Sequence, residues 1–233
     1  MQNIAGYKFT SLNELSALRS ALLAECQLAE LKGTILLSSE GININVAGLP
    51  ANIALFCHYL KTDARLADIS FKTSYSRSQP FKRMKVKIKK EIITMRCPEI
   101  HPQISRAPSL SPSQFKQWLD EKRDMLILDT RNHYEVSEGT FSGAVSLQLD
   151  DFTHFPAAAK KALPQNKPIV MFCTGGIRCE KAALHLLKEG FPEVYQLEGG
   201  ILNYFAEVGS VHYQGACFVF DERGSVTPES LSN

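Results

Sequence analysis

The sequence predicts two mixed α/β modules in tandem, a split β-α-β unit followed by a parallel α/β sheet. Three observations carry that prediction. Residues 1–96 alternate short apolar runs with helical patterns in the order β-α-β-β-α-β, and residues 111–212 alternate strands with helices. Between them, residues 97–110 hold Pro98, Pro102 and Pro108 and read as a linker. The charge divides at the same place. Residues 1–96 carry 14 Lys and Arg against 7 Asp and Glu, a balance of +7, while residues 97–233 carry 12 against 17, a balance of −5.

The 233 residues suffice for two small cores, and 44% hydrophobic with 21% charged content is ordinary for a globular chain. Nothing approaches the run of about 20 apolar residues that spans a bilayer, and no basic-then-apolar leader opens the chain. The expected location is the cytoplasm, where thiols stay reduced. Cysteines stand at 26, 57, 97, 173, 179 and 217, with no C-x-x-C pair and no Cys/His spacing typical of zinc. The expectation is therefore no metal site.

In the first module, Ile4–Thr10 reads as a strand. Ser11-Leu12-Asn13-Glu14 reads as a capping box that opens a helix through Leu15, Leu18, Leu22 and Leu23, which Gly33 ends. Thr34–Leu37 and Ile42–Val46 flank Ser38-Ser39-Glu40-Gly41 as a hairpin. Pro50 opens a second helix with Ile53, Phe56, Cys57 and Leu60 on one face. A strand near Ile69–Ser74 completes a ferredoxin-like order. Beyond it, Met84, Val86 and Ile88 alternate with Lys85, Lys87 and Lys89, which places the two sets on opposite faces of a further strand.

In the second module Ser111-Pro112 caps and starts a helix. Strands follow at Met125–Leu128, Ala144–Leu147, Pro168–Phe172 and Val194–Leu197, with a helix from Arg178 to Lys188 stopped by Gly190 and Pro192. Residues 213–233 form a C-terminal extension. Ligands of open α/β sheets bind beyond the carboxyl ends of the strands. Asp129, Cys173 and Gly199-Gly200 each follow a strand directly and can converge there.

The loop Cys173-Thr174-Gly175-Gly176-Ile177-Arg178 has the chemistry of a nucleophile site. Two glycines let successive N–H groups turn inward as an anion nest, a helix N-terminus follows, and Arg178 adds a full charge. All three favour thiolate and lower the pKa of Cys173 below the free value of about 8.5. Such a thiolate can attack carbon or sulfur. Cys179 reads either as a resolving thiol for an oxidised Cys173 or as a helix-facing cysteine packed under the loop. Asp129 is expected to brace the loop, and Arg131 to pair with Glu135 or Glu138. His133, His154 and His212 receive no catalytic role.

Lys82, Arg83, Lys85, Lys87, Lys89 and Lys90 put six basic residues in nine positions of the +7 module. They read as a polyanion contact, with a merely solvated face as the alternative. Tyr75, Phe71 and Phe81 are suited to stacking on bases or to core packing.

Asp129-Thr130-Arg131, Gly143-Ala144, the Cys173–Arg178 loop and Leu197-Glu198-Gly199-Gly200-Ile201 together resemble a rhodanese domain. The longer strings GTILLSSEGININVAG (33–48), PFKRMKVKIKKEIITM (80–95), CTGGIRCEKAA (173–183) and CFVFDER (217–223) resemble the oxygen-dependent tRNA uridine(34) hydroxylase family. The resemblance implies an acylphosphatase-like domain over 1–96, a rhodanese domain over 111–212, and hydroxylation of a wobble uridine at its 5-position with molecular oxygen as co-substrate. It implies Cys173 as the essential residue and tRNA as partner; the motifs establish no metal or organic cofactor, and no obligate protein partner is evident. Asn43-Ile44-Asn45 stands where Asn-Gly-Thr is expected, and Gly224-Ser225 follows where a strand usually continues. The chain ends at Asn233 where many members continue into a cysteine-rich tail, so a shorter variant and a truncated form are both open. A sulfurtransferase carrying a persulfide on Cys173 and a non-catalytic RNA- or protein-binding module are the competing readings.

Overall fold

The computed structural model describes residues 1–231. The chain divides into two compact units, Met1–Ile93 with Phe220–Arg223, and Thr94–Val219 with Gly224–Glu229.

The first unit runs β1 (Gln2–Phe9), α1 (Leu15–Leu28), β2 (Lys32–Ser38), β3 (Gly41–Gly48), α2 (Pro50–Thr62), β4 (Lys72–Tyr75) and β5 (Met84–Ile88). Its sheet has the order β4-β1-β3-β2-β5. The first four strands pair antiparallel, and β5 joins the edge parallel to β2, with Val86 opposite Ile35. That is the ferredoxin-like arrangement with one strand added. Alternation along β2 and β3 sends Ile35, Leu37, Ile42 and Ile44 into one core. There they join Leu22 and Cys26 of α1 and Ile53, Phe56 and Leu60 of α2.

Several details differ from the sequence reading. Helix α1 starts at Leu15, not at a Ser11 capping box; Glu14 occupies the cap position in a left-handed conformation, with no side-chain cap hydrogen bond. The cause is Leu12, which is buried. Its N–H donates to the Ser39 carbonyl, and that of Thr10 donates to the Glu40 carbonyl, which holds the stretch extended. Gly33 does not end the helix. It lies inside β2 at φ 144°, where a Cβ would stand 2.1 Å from the Asn45 carbonyl oxygen. The fourth strand begins at Lys72 rather than Ile69, because Ile69 is buried in a turn whose N–H bonds the Leu66 carbonyl. In β5 only Val86 is fully buried; Ile88 is exposed at the sheet edge.

The second unit runs β6 (Ser109–Leu110), α3 (Pro112–Asp120), β7 (Leu126–Asp129), α4 (His133–Val136), β8 (Gly139–Phe141), β9 (Val145–Ser146), α5 (Phe155–Ala162), β10 (Ile169–Phe172), α6 (Ile177–Lys188), β11 (Val194–Leu197), α7 (Gly200–Glu207), β12 (Tyr213–Gly215), β13 (Cys217–Phe218) and β14 (Ser225–Val226). Its main sheet is parallel, ordered β6-β11-β10-β7-β9. Central β10 is buried at all four positions, the continuous apolar run expected of a strand covered on both faces. Ser111 completes a capping box with Gln114 at the start of α3. Ser109–Leu110 lie within the stretch read as a linker, yet they pair with β11 as an edge strand. Tyr213–Gly215 pair with β8, and Cys217–Phe218 with β14.

Candidate active site

The site is built at the carboxyl end of β10, the middle strand of the parallel sheet. The strand ends at Phe172, Cys173 follows, and α6 begins four residues later at Ile177. Cys173 has no exposed surface, while Thr174, Gly175 and Ile177 are half-exposed.

The loop is held from outside by its carbonyls, which leaves its N–H groups free to turn inward. Helix α7 starts at Gly200, and its first amides reach the loop. Ile201 N–H donates to the Cys173 carbonyl and Leu202 N–H to the Thr174 carbonyl, both at 3.0 Å. This approach requires glycine at 200. A Cβ there would lie 2.3 Å from the Cys173 carbonyl oxygen, and φ is +65°. On the other side, both the amide and the hydroxyl of Thr130 donate to the Phe172 carbonyl at 3.0 Å.

Inside the loop, the Gly176 amide donates to Cys173 Sγ at 3.1 Å. Burial pushes the Cys173 thiol up. A hydrogen bond from Cys179, the Arg178 guanidinium, and the Arg178 and Gly176 amides overcome that burial and lower it from the ordinary 9.0 to about 6. Cys179 moves the opposite way. Burial, the hydrogen bond to Cys173 and the Cys173 charge raise it well above its ordinary value. The two shifts run in opposite directions, so Cys173 is the member of the pair favoured as thiolate and Cys179 the member favoured as thiol. Thr130 Oγ1 also lies 3.6 Å from Cys179 Sγ.

Arg178 is oriented by a residue the sequence reading did not assign to it. Glu135, on α4, accepts from Arg178 Nη1 at 2.6 Å and from Nη2 at 2.7 Å, with both side chains essentially buried. The Asn132 amide donates to Glu135 Oε2 at 3.2 Å at the start of α4. The Asn132-x-x-Glu135 spacing was the available signal. Arg131 pairs with Asp129 rather than with Glu135 or Glu138. Nε lies 2.9 Å and Nη2 2.6 Å from the Asp129 oxygens, and neither side chain is exposed. Thr140 donates to the same carboxylate at 2.7 Å, and Arg131 also donates to the Gly139 carbonyl. Asp129 and Arg131 thus tie β7 to β8 beneath the loop. Cys217 is buried beside Arg131 and Thr174, and burial pushes its thiol up to about 12.

The basic strand lies in the other unit. Lys82, Arg83, Lys87, Lys89 and Lys90 are exposed, Lys85 is half-buried, and Lys82 Nζ stands 3.6 Å from Glu222. Phe71, Tyr75 and Phe81 are half-buried, and Phe71 packs on the core.

A thiolate cradled by amides at the end of a central parallel strand, in a chain that begins with a ferredoxin-like unit, defines a rhodanese-like domain joined to an acylphosphatase-like one. Family models agree: the UPF0176 acylphosphatase-like domain matches residues 1–92 and the rhodanese-like domain matches residues 111–207. The chain is 54% identical to a tRNA uridine(34) hydroxylase of Cupriavidus necator over 97% of this chain and 83% of that protein. It is 50% identical to one of Bordetella petrii, covering 97% and 92%. Among solved structures, a rhodanese-like domain from Anabaena is 24% identical, with a TM-score of 0.41, covering 47% of this chain and 80% of that one. The chain belongs to the tRNA uridine(34) hydroxylase family. Among the described residues no helix is long and apolar enough to cross a membrane.

Proposed function

We propose that this protein hydroxylates the wobble uridine, position 34, of tRNA to 5-hydroxyuridine, with molecular oxygen as co-substrate and Cys173 as the essential residue. The observation that carries this is the extended identity to tRNA uridine(34) hydroxylases, together with an intact thiolate loop. A tRNA substrate suits a cytoplasmic protein. The Lys82–Lys90 strand suits its phosphates, which dominate affinity in nucleic-acid binding.

The thiolate has a definite task in this chemistry. Addition of Cys173 Sγ to the 6-position of the uracil ring moves an electron pair onto the neighbouring carbon and its carbonyl, so that carbon becomes the nucleophile toward oxygen. One oxygen atom enters the base and the other leaves as water, which requires two electrons and two protons. Loss of the proton at the 5-position expels Cys173 Sγ from the 6-position, which breaks the sulfur–carbon bond and restores the ring. Joining of the Cys173 thiolate and the Cys179 thiol as a disulfide supplies the two electrons and one proton, solvent supplies the second proton, and a thiol reductant then restores the pair.

The deciding experiment is nucleoside mass spectrometry of tRNA from cells lacking the gene, complemented with wild type or Cys173→Ala. Wild type restores 5-hydroxyuridine at position 34 and Cys173→Ala does not. Equal restoration by both overturns the proposal. The second reading, persulfide transfer from Cys173, rests on the same amide cradle, which also suits a persulfide anion. Vigorous thiocyanate formation from thiosulfate and cyanide, abolished by Cys173→Ala, would favour it.

A further inference from the structure

A second group of reactive side chains lies away from the loop, in the same unit. Cys97 Sγ, a carboxylate oxygen of Glu99 and a ring nitrogen of His185 all lie within 4.8 Å of one another. Cys97 and Glu99 flank Pro98 in the segment before β6, and His185 comes from the second half of α6. His185 is 7% exposed, and its Nδ1 is buried with no hydrogen-bond partner among the described residues. A buried, unpartnered polar atom is rare in a folded protein and calls for a specific explanation.

We propose that Cys97, Glu99 and His185 form a site for a divalent transition metal, with zinc the best match, and water in the fourth position. One sulfur, one nitrogen and one oxygen donor exclude calcium or magnesium, which take oxygen, and suit zinc. Tetrahedral zinc brings such donors to about 3.3–3.8 Å of one another, so the three need to draw in by roughly 1 Å. Cys97 and Glu99 are not deeply buried, and their segment is free of regular structure, so it can make that movement.

The surrounding charges permit it. The ammonium of Lys188 stands 4.0 Å from Glu99, a loose contact that a metal would displace. Lys160 faces Glu189 at 3.6 Å. The metal would fasten the segment that enters this unit to α6, the helix whose first turn carries Arg178 and Cys179. His185 lies seven residues beyond Arg178, about 10 Å along the helix axis. The role is that of a staple rather than a catalytic centre.

The test uses the full chain, stripped of metal and kept reduced with a phosphine, titrated with cobalt(II). One equivalent should give the intense ligand-field bands of four-coordinate cobalt and a thiolate-to-cobalt charge-transfer band. Zinc should displace it and raise the unfolding midpoint. Cys97→Ser, at a half-exposed position, should lose the charge-transfer band, and His185→Gln should lose stoichiometric binding. Cys57→Ser, at a half-buried cysteine of the other unit, should keep both. Absence of the bands in wild type, or their survival in Cys97→Ser, overturns the proposal.

Discussion

The guanidinium of Arg178 and the carboxylate of Glu135 form a two-point buried ion pair, with N–O distances of 2.6 and 2.7 Å. Its geometry fixes where the positive charge nearest Cys173 stands. Removing one partner of such a pair strands the other, at a cost of about 3–5 kcal/mol. Glu135→Ala should therefore lower the unfolding free energy by about that amount, measured by denaturant titration. An exposed control such as Glu121→Ala should leave it unchanged within the error of the titration.

The thiolate should be visible by titration. Cys173 has a folded-state pKa of about 6 against an ordinary 9.0, so ultraviolet thiolate absorbance should rise through pH 6 in wild type and vanish there in Cys173→Ser. Arg178→Gln removes a cause of the lowering and should move the midpoint upward. The sign for stability follows from the depressed value. The contribution is fully present above pH 9 and is lost as pH falls through 6, so Cys173→Ser should flatten the stability profile across that window.

Gly200→Ala places a methyl against the Cys173 carbonyl and forces a left-handed conformation on alanine. The expected cost is about 1–3 kcal/mol. Because the clash falls on the loop itself, hydroxylation should drop further than stability, and the thiolate midpoint should shift. A normal midpoint with normal tRNA hydroxylation would show that α7 does not set the loop.

The basic strand and the thiolate loop should separate experimentally. Lys87→Ala, Lys89→Ala and Lys90→Ala together remove three exposed charges. They should weaken tRNA binding and reduce the salt slope of log affinity by about 2–3, while leaving the Cys173 titration unchanged. An unchanged salt slope would assign tRNA binding elsewhere.

Cys179→Ser keeps a donor beside the Cys173 thiolate but removes the second sulfur. The thiolate midpoint should stay low and hydroxylation should fail beyond substoichiometric amounts. In wild type without added reductant, thiol counting should show two thiols lost per hydroxylated base. Full turnover by Cys179→Ser would eliminate the dithiol as electron source.

Much of this architecture was legible because strand and helix periods are local. The Ile35–Leu37 and Ile42–Val46 alternation, the Ser111-Pro112 start and the four-residue apolar run of β10 needed no tertiary information. The loop chemistry of Cys173 was legible too, since its glycines, arginine and helix start adjoin it in sequence. What failed depended on distant partners. Leu12 overrode the Ser11 cap because its side chain was drawn into the core, and Gly33 serves an approach by Asn45 across the hairpin. Arg131 and Arg178 are both near acidic residues in sequence or space, and only the fold reveals that they take Asp129 and Glu135 respectively. Cys97 and His185 meet across a separation that no spacing rule covers.

The complete burial of Cys173 sets what can reach it. An ionised sulfur on a surface is consumed by peroxide, glutathione disulfide and alkylating agents in proportion to its nucleophilicity. Here the same sulfur is fully buried, so bulky electrophiles should modify the half-exposed Cys57 first. The reactive atom is in effect stored under cover until Thr174, Gly175 and Ile177 admit a flat, narrow guest.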